Sequence, residues 1–580
     1  MKKLIAGLIF GAFTLFCSTA SIAGAVEDEQ WNSPQLFTLG YHGITIQNAG
    51  NETSTFSDLL ATFNRDPNPN NFDRYVCHST KDKDCVNADF YDFNSILPVC
   101  LSQVQTDCVE GISTENSEGK ISIGVYNKYT NDKHPNLFEA DPSLDIPTDA
   151  SPSIWTIEGT PHNFGNQYVV NVAISGRSFG KNNGGNSISA SVTPISEMNG
   201  GAPLEPAQCR SWLDPARNHF NNACSINLTP NNGEYKCAYV DGDYVSGTPN
   251  CLLPHAFPGN TRFKLSIRLK SEPIGWFHGR LSDPDISITK NQSGIRLEVS
   301  GLSTRVPIAS YGDTWNLLPN EIKDFWNKCE TASSQAFQCG GAGNFSDPLP
   351  QRIGTMLLPP YGPAAIEALQ AMTPVTHDHS VASPSTWRFN TIPSNSGVSA
   401  CFNSGPGVKG IVTTNSTTYS EGPPTFDGSS LNYKVASLHY NPDGSVFKGT
   451  YNLVVRSDVA RCLYNFTSAP IKASISVISA DGSNDVATTI ANEKNGWLYL
   501  SANGFTFSNP TISVKLTQDT PAPAPSTNLS SDANSTSSTS NVNVTPKGLG
   551  KTLTIRCVKG KTTKYVSGIK PACPAGYKKK

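Results

Sequence analysis

The densest chemistry in this chain is the run His377, Asp378, His379, two imidazoles flanking a carboxylate. Such a set can ligate zinc or pass protons. In an extended segment, side chains two apart share a face and the one between projects the other way, so the three converge only if the chain turns. Coming after Thr373 and Pro374, the run also fits a plain polar loop. His278 in GWFHGRL stands beside Arg280 and suits proton transfer, but its neighbours Trp276 and Phe277 suit a packed strand equally well. Ser287 to Lys290 match S-x-x-K without the S-D-N and K-T-G partners that such enzymes carry. The chain has no H-E-x-x-H, G-x-S-x-G or Walker loop, so the commonest zinc, serine-elbow and phosphate-cradling mechanisms lack their local markers. Paired carboxylates for glycoside hydrolysis leave no such marker, because their separation in space is what matters. Trp31, Trp155 and Trp387 would stack on sugars if exposed, and are core residues otherwise.

Oxygen ligands come from Asp241, Asp243, Asp443, Asp481 and Asp485, all in Gly-rich or Asn-rich turns. Calcium takes such ligands, but none of these runs completes a calcium loop with its terminal Glu, and turn chemistry accounts for each. No cofactor is predicted, and calcium is the one metal the composition suits.

There are 15 cysteines. Cys17 falls within a run that reads as a secretory signal over 1–25: Lys2 and Lys3, an apolar stretch from Leu4 to Phe16, and Ala23 and Ala25 in A-x-A spacing. The other cysteines are even in number, and no C-x-x-C occurs, so disulfides in an oxidising compartment are the expectation. Spacing suggests Cys77 with Cys85, Cys100 with Cys108, Cys209 with Cys224, Cys237 with Cys251, Cys329 with Cys339, Cys401 with Cys462, and Cys557 with Cys573. No later apolar run is long enough to span a bilayer, so no transmembrane segment is expected after signal cleavage.

The net charge of -3 conceals an asymmetry. After residue 546 come Lys547, Lys551, Arg556, Lys559, Lys561, Lys564, Lys570, Lys578, Lys579 and Lys580 with no acidic residue among them, so everything before them is net acidic. Such a tail should be drawn to anionic polymers of a cell wall by a long-range attraction that salt weakens. Nucleic acid is not an expected partner, since the acidic body would repel it.

The elements that must position these groups are mostly strands. LNYKVASLHY, SVFKGTYNLVV, KASISVIS, GWLYLS and TISVKLT alternate apolar with polar residues between NPDG, SADG and NEKNG turns. That pattern predicts antiparallel sandwiches with one face of each strand packed and the other wet. RFKLSIRLK, GWFHGRL, SGIRLEVSGL, ISIGVYNKY and YVVNVAISG read the same way. Helices are few: one over DLLATF capped by Ser57, one over EIKDFWNKC capped by Asn320, and one from Ala364 to Met372. The predicted fold is mainly β, several immunoglobulin-like antiparallel sandwiches with few short helices, braced by disulfides. The divisions are a signal (1–25), a β-rich N-terminal domain (26–200), a β-sandwich module (201–310), an irregular or helical connection (311–397), a C-terminal β-sandwich (398–517), a Pro/Ser/Thr linker (518–546) and a basic, disulfide-stapled tail (547–580).

Tyr433 to Leu516, with RSDVARCLY, SAPIKASISVISADG and NGWLYLSANGFTFSNPTISVKL, resembles a module of uncharacterised exported bacterial proteins, which often end in a segment like the CVKGKTTK to CPAGYKKK found here. The resemblance implies a cell-envelope or secreted location and carries no activity. The function these features point to is an exported, cell-surface or extracellular protein that binds or supports without catalysing, retained by its tail. The alternative is a secreted hydrolase acting on glycan, with catalytic residues dispersed along the chain.

Overall fold

A computed structural model describes residues 39–47, 57–64, 72–130, 137–179, 186–197, 250–331, 348–392, 400–403, 407–420, 422–469, 471–478, 488–507, 511–518, 553–559, 562–568, 573 and 577–579, with strand pieces at 182–183, 212–214, 219–221, 239–241 and 484–485. The chain is mainly β and divides into two units, Met1–Thr520 and Pro521–Lys580.

A long central sheet runs through the larger unit. Its hydrogen-bonded order is Phe72–Val76, Asp58–Asn64, Phe90–Ile96, Gln167–Phe179, Ser187–Glu197, Ser385–Ile392, Gly275–Arg280, Val408–Thr414, Gly449–Arg456, Trp497–Phe505 and Thr488–Lys494. Only the pairing of Gly275–Arg280 with Val408–Thr414 is parallel. Strands from the 26–200, 201–310, 311–397 and 398–517 stretches thus share one sheet.

Both faces of this sheet are covered along its middle. One packs Val170, Val172, Trp387, Phe389, Phe277 and Ile411 against Phe263, Leu265, Leu297 and Val299 of a five-stranded sheet, ordered Ser282–Lys290, Ile295–Leu302, Arg262–Leu269, Cys108–Glu115 and Ile121–Ile123. The other packs Trp276, Val412, Leu453, Val455, Leu498 and Leu500 against Leu431, Tyr433, Ile475, Val477, Ile512 and Val514 of a six-stranded sheet. Neighbouring residues such as Trp276 and Phe277, or Leu453 and Val454, therefore enter different cores. This corrects the expectation that each strand keeps one wet face: all of Gly275–Arg280 and Val408–Thr414 is buried. A sheet sandwiched between two layers needs consecutive apolar residues, as in NLVV. Trp155 and Trp387 are core residues, 4% and 0% exposed, and not sugar platforms; Trp31 lies outside the described residues.

A third core joins a sheet of Tyr41–Ile46, Ala309–Thr314 and Gly354–Leu358 to the helices Asn320–Thr331 and Pro363–Met372. Ile322, Phe325 and Trp326 bury the helical face that their spacing predicts. Two short helices, Ala400–Asn403 and Ser457–Tyr464, are also present. DLLATF is not helical. Asp58–Asn64 is a strand paired on both sides, with Leu59 and Ala61 buried, and the Ser57 hydroxyl accepts from the Ile96 amide at 3.0 Å and donates to the Ala150 carbonyl at 3.2 Å. Two sheet partners override what a six-residue segment prefers by itself.

Among the described residues, Cys77–Cys85, Cys100–Cys108 and Cys401–Cys462 are bonded. Cys573 is also disulfide-bonded. The side chains of Cys209, Cys224, Cys237, Cys251, Cys329, Cys339 and Cys557 lie outside the described residues.

The Cys401–Cys462 bond ties the two short helices together across 61 residues. On the loop-closure model, a Cys401→Ser/Cys462→Ser variant should lose about 4 kcal/mol of stability. Chemical unfolding of the two proteins measures it, and free-thiol titration of the native protein should find these cysteines unreactive.

Candidate functional site: a groove at the rim of the five-stranded sheet

Of the residues singled out by the sequence, His377, Asp378 and His379 do form a loop, entered through left-handed backbone at His377 (φ 51°) and Asp378 (φ 61°). The three do not converge. Asp378 turns to a residue that the sequence did not mark, His439, accepting from its amide at 2.8 Å and lying 2.5 Å from its Nδ1. His379 stacks on Tyr440, with ring centroids 4.8 Å apart. The loop is thereby clamped onto the 439–440 segment, where Tyr440 also donates its amide to the Asp378 carbonyl. Nothing in the local sequence announces a pairing across this distance. Among the described residues, no three His, Cys, Asp or Glu side chains are grouped to hold a metal ion. Asp443 binds the Ser445 amide and hydroxyl, as a turn aspartate does.

His278 is buried in the central sheet, its Nδ1 2.6 Å from the Tyr419 hydroxyl and Arg280 stacked over the Tyr419 ring. Burial, and then Arg280 and Arg388, push its pKa down to about 3, so the ring stays neutral and acts as a structural hydrogen-bonding group.

The arrangement best suited to meet a ligand lies on the outer face of the five-stranded sheet. Alternation sends Leu265, Leu297, Val299 and Ile286 into the core and leaves the intervening residues outside. Register then lines up Ser113, Lys264, Ser300 and Asp285 in one row, with Glu115 and Arg262 in the next but one. Charges along the face are chained: Arg268 and Arg296 both meet Glu110, and Arg296 and Lys264 both meet Glu298, at 3.1 and 3.4 Å. The pairs made by Arg296 and Lys264 are solvent-accessible and contribute about 0–1 kcal/mol each, so they order the face more than they stabilise the fold.

At one rim the face closes into a cavity of about 460 Å³. Two features shape it. A bulge between Ser282 and Asp285 pushes Asp283 and Pro284 out of register, with Asp283 at φ 51°, and this aims Asp283 at the Arg262 guanidinium. Bulges commonly re-aim side chains in this way beside functional sites. Opposite, the central sheet contributes Asn492, Lys494 and Tyr499. The Tyr499 hydroxyl donates to Asp285 at 2.5 Å, and Lys494 stands 4.0 Å from the same carboxylate. Burial and Asp285 both raise the Tyr499 pKa, so the phenol remains a donor. Sequence reasoning missed this groove; the Pro-interrupted SDPD run was the one local signal of a bulge.

The tail unit is a three-stranded sheet with Leu553–Lys559 between Thr562–Gly568 and Lys578–Lys579. Register sets Lys564, Cys557 and Lys579 in one row, and Lys578 and Lys579 are exposed. Lys547, Lys551, Lys561, Lys570 and Lys580 lie outside the described residues, as do the side chains of Arg556, Lys559 and Lys564.

No family model, curated protein or solved structure matches the chain.

A second cluster that the sequence left unmarked contributes to the acid response. His162 and His255, both buried, stack 5.5 Å apart, with the His255 Nε2 2.7 Å from the Ser196 hydroxyl and its ring against Phe164. Burial, then His255, push the His162 pKa down to about 4. A histidine depressed on folding keeps its full contribution above its unfolded pKa near 6.5 and loses it as pH falls through the folded value, here about 3 kcal/mol in all. Asp58 and Asp149, raised by burial to about 6, act with the opposite sign as pH rises through that value. The comparison is therefore between proteins: a His162→Asn variant should lose less stability than the wild type between pH 6.5 and 4, read from thermal midpoints at each pH.

Proposed function

We propose that this is an exported, non-catalytic binding protein, held at a cell envelope by its basic tail while the β body faces a ligand. The single observation that carries the reading is the tail itself: a separate unit, Pro521–Lys580, whose Pro/Ser/Thr-rich start is followed from Lys547 by basic residues with no acidic one, Lys578 and Lys579 among them exposed. Supporting it, Cys77–Cys85, Cys100–Cys108 and Cys401–Cys462 are bonds that persist in oxidising compartments. Among the described residues, no helix is long and apolar enough to cross a membrane. Long-range attraction would draw these cations to phosphate-bearing wall polymers.

Binding is favoured over hydrolysis by the groove. Sugar hydrolysis needs one carboxyl group to give a proton and a second carboxylate to attack or to activate water. Asp283 is engaged by Arg262, and Asp285 by Tyr499 and Lys494, partners that already occupy both carboxylates and hold them in place.

Removing Lys547 to Lys580 should move the protein from the cell fraction to the medium, and raised salt should release the full-length protein in the same way, because exposed charges are screened beyond about 10 Å at 0.1 M. Fractionation with immunodetection reads the result, and a truncated protein that stays cell-bound would end the proposal.

A further inference from the structure

We propose that the groove formed by Lys264, Arg262, Asp283, Asp285, Lys494 and Tyr499 binds a neutral, polyhydroxylated ligand, a short oligosaccharide; this rests on the reading that the body binds and does not catalyse. Its volume, about 460 Å³, falls within the roughly 300–1,000 Å³ usual for small-molecule sites.

Charge narrows the class. The lining sets the cations Arg262, Lys264 and Lys494 against the carboxylates Glu115, Asp283 and Asp285. An anionic ligand would displace or face the carboxylates, and a cationic one the ammonium and guanidinium groups, with loss of existing pairs in either case. A sugar hydroxyl is donor and acceptor at once. Adjacent hydroxyls can donate hydrogen bonds to Asp283 and Asp285 while accepting them from Lys494 and Arg262, so the ion pairs need not separate. Ser113 and Ser300 add hydroxyls and Asn492 an amide to the same wall. Ile121, 65% exposed at the rim, and Pro284 offer apolar surface for the C–H face of a ring.

The strands Cys108–Glu115, Arg262–Leu269 and Ile295–Leu302 beneath the groove are each paired on both sides, so the floor has no edge to lend an extended chain. The floor meets a ligand through side chains, and these stand on rigid strands with Asp283 and Asp285 already oriented, which lowers the ordering cost on binding.

The test uses the purified full-length protein and calorimetric titration with cellotetraose, chitotetraose and maltotetraose, beside a heparin-derived tetrasaccharide and tetraalanine. Working at about 0.5 M salt screens the tail. The expected result is saturable binding of at least one neutral tetrasaccharide, weakened about tenfold or more in both Lys494→Gln and Asp285→Asn. Unchanged thermal midpoints would show that these variants remain folded; a Tyr499→Phe variant, which keeps the ring and loses the donor, gives an independent check and should weaken binding too. Failure of every neutral sugar to bind up to about 10 mM, tighter binding of the anionic sugar or the peptide, or affinity untouched by all three variants overturns the inference. Tail-dependent retention in cells can survive that failure, and sugar binding can survive loss of retention, so the two proposals fail separately. Release of shorter sugars during titration would instead replace binding with hydrolysis.

Discussion

In a β-strand, successive side chains leave opposite faces, and a sheet covered on both sides must therefore be apolar at consecutive positions. The middle of the central sheet meets that demand with Trp276 and Phe277, Ile411 and Val412, and Leu453, Val454 and Val455, each pair split between two cores. This double burial makes the middle of the larger unit continuous, because no strand there can leave without exposing two layers. It also sets the cost of polar groups inside. His278 and Arg280 are tolerated there because Tyr419 hydrogen-bonds the one and underlies the other, and the Thr414 and Thr417 carbonyls accept from the guanidinium.

The five-stranded sheet is the contrasting case. One face is spent on the core, so the other is released from packing and can carry chemistry. Serines, lysines, arginines and glutamates alternate along it with the core leucines and valines, and the pleat sets them in rows at fixed spacing. A rigid floor of this kind gives no specificity until something walls it. Here the walls are the Asp283 bulge and the Tyr499 and Lys494 side chains from the neighbouring sheet, residues more than two hundred positions apart that meet through Asp285.

Particular residues show why some of this could be read in advance and some could not. The pairs Cys77–Cys85 and Cys100–Cys108 are each eight residues apart, close enough for spacing to suggest them. The helices from Asn320 and Pro363 announced themselves by periodicity, because an amphipathic helix encodes its buried face locally. DLLATF misled because its apolar residues suit either period, and the choice was made by the strands on each side of it. The His377 run left two readings open, a site or a plain polar loop. Residue type drew attention to three side chains, but Asp378 found its partner at His439, and backbone geometry directed the rest outward.

The order of amino acids determined the β class, the turns, two helices and the short disulfide loops, since each depends on interactions within a few residues of chain. It also determined the charge asymmetry that sets the tail apart, which is a matter of composition. Tertiary structure alone decided which strands became neighbours, that the central strands lost both faces to packing, and that a carboxylate at 285 would meet a phenol at 499. Those contacts join segments whose mutual approach depends on the packing of every layer between them, and no local pattern carries that information.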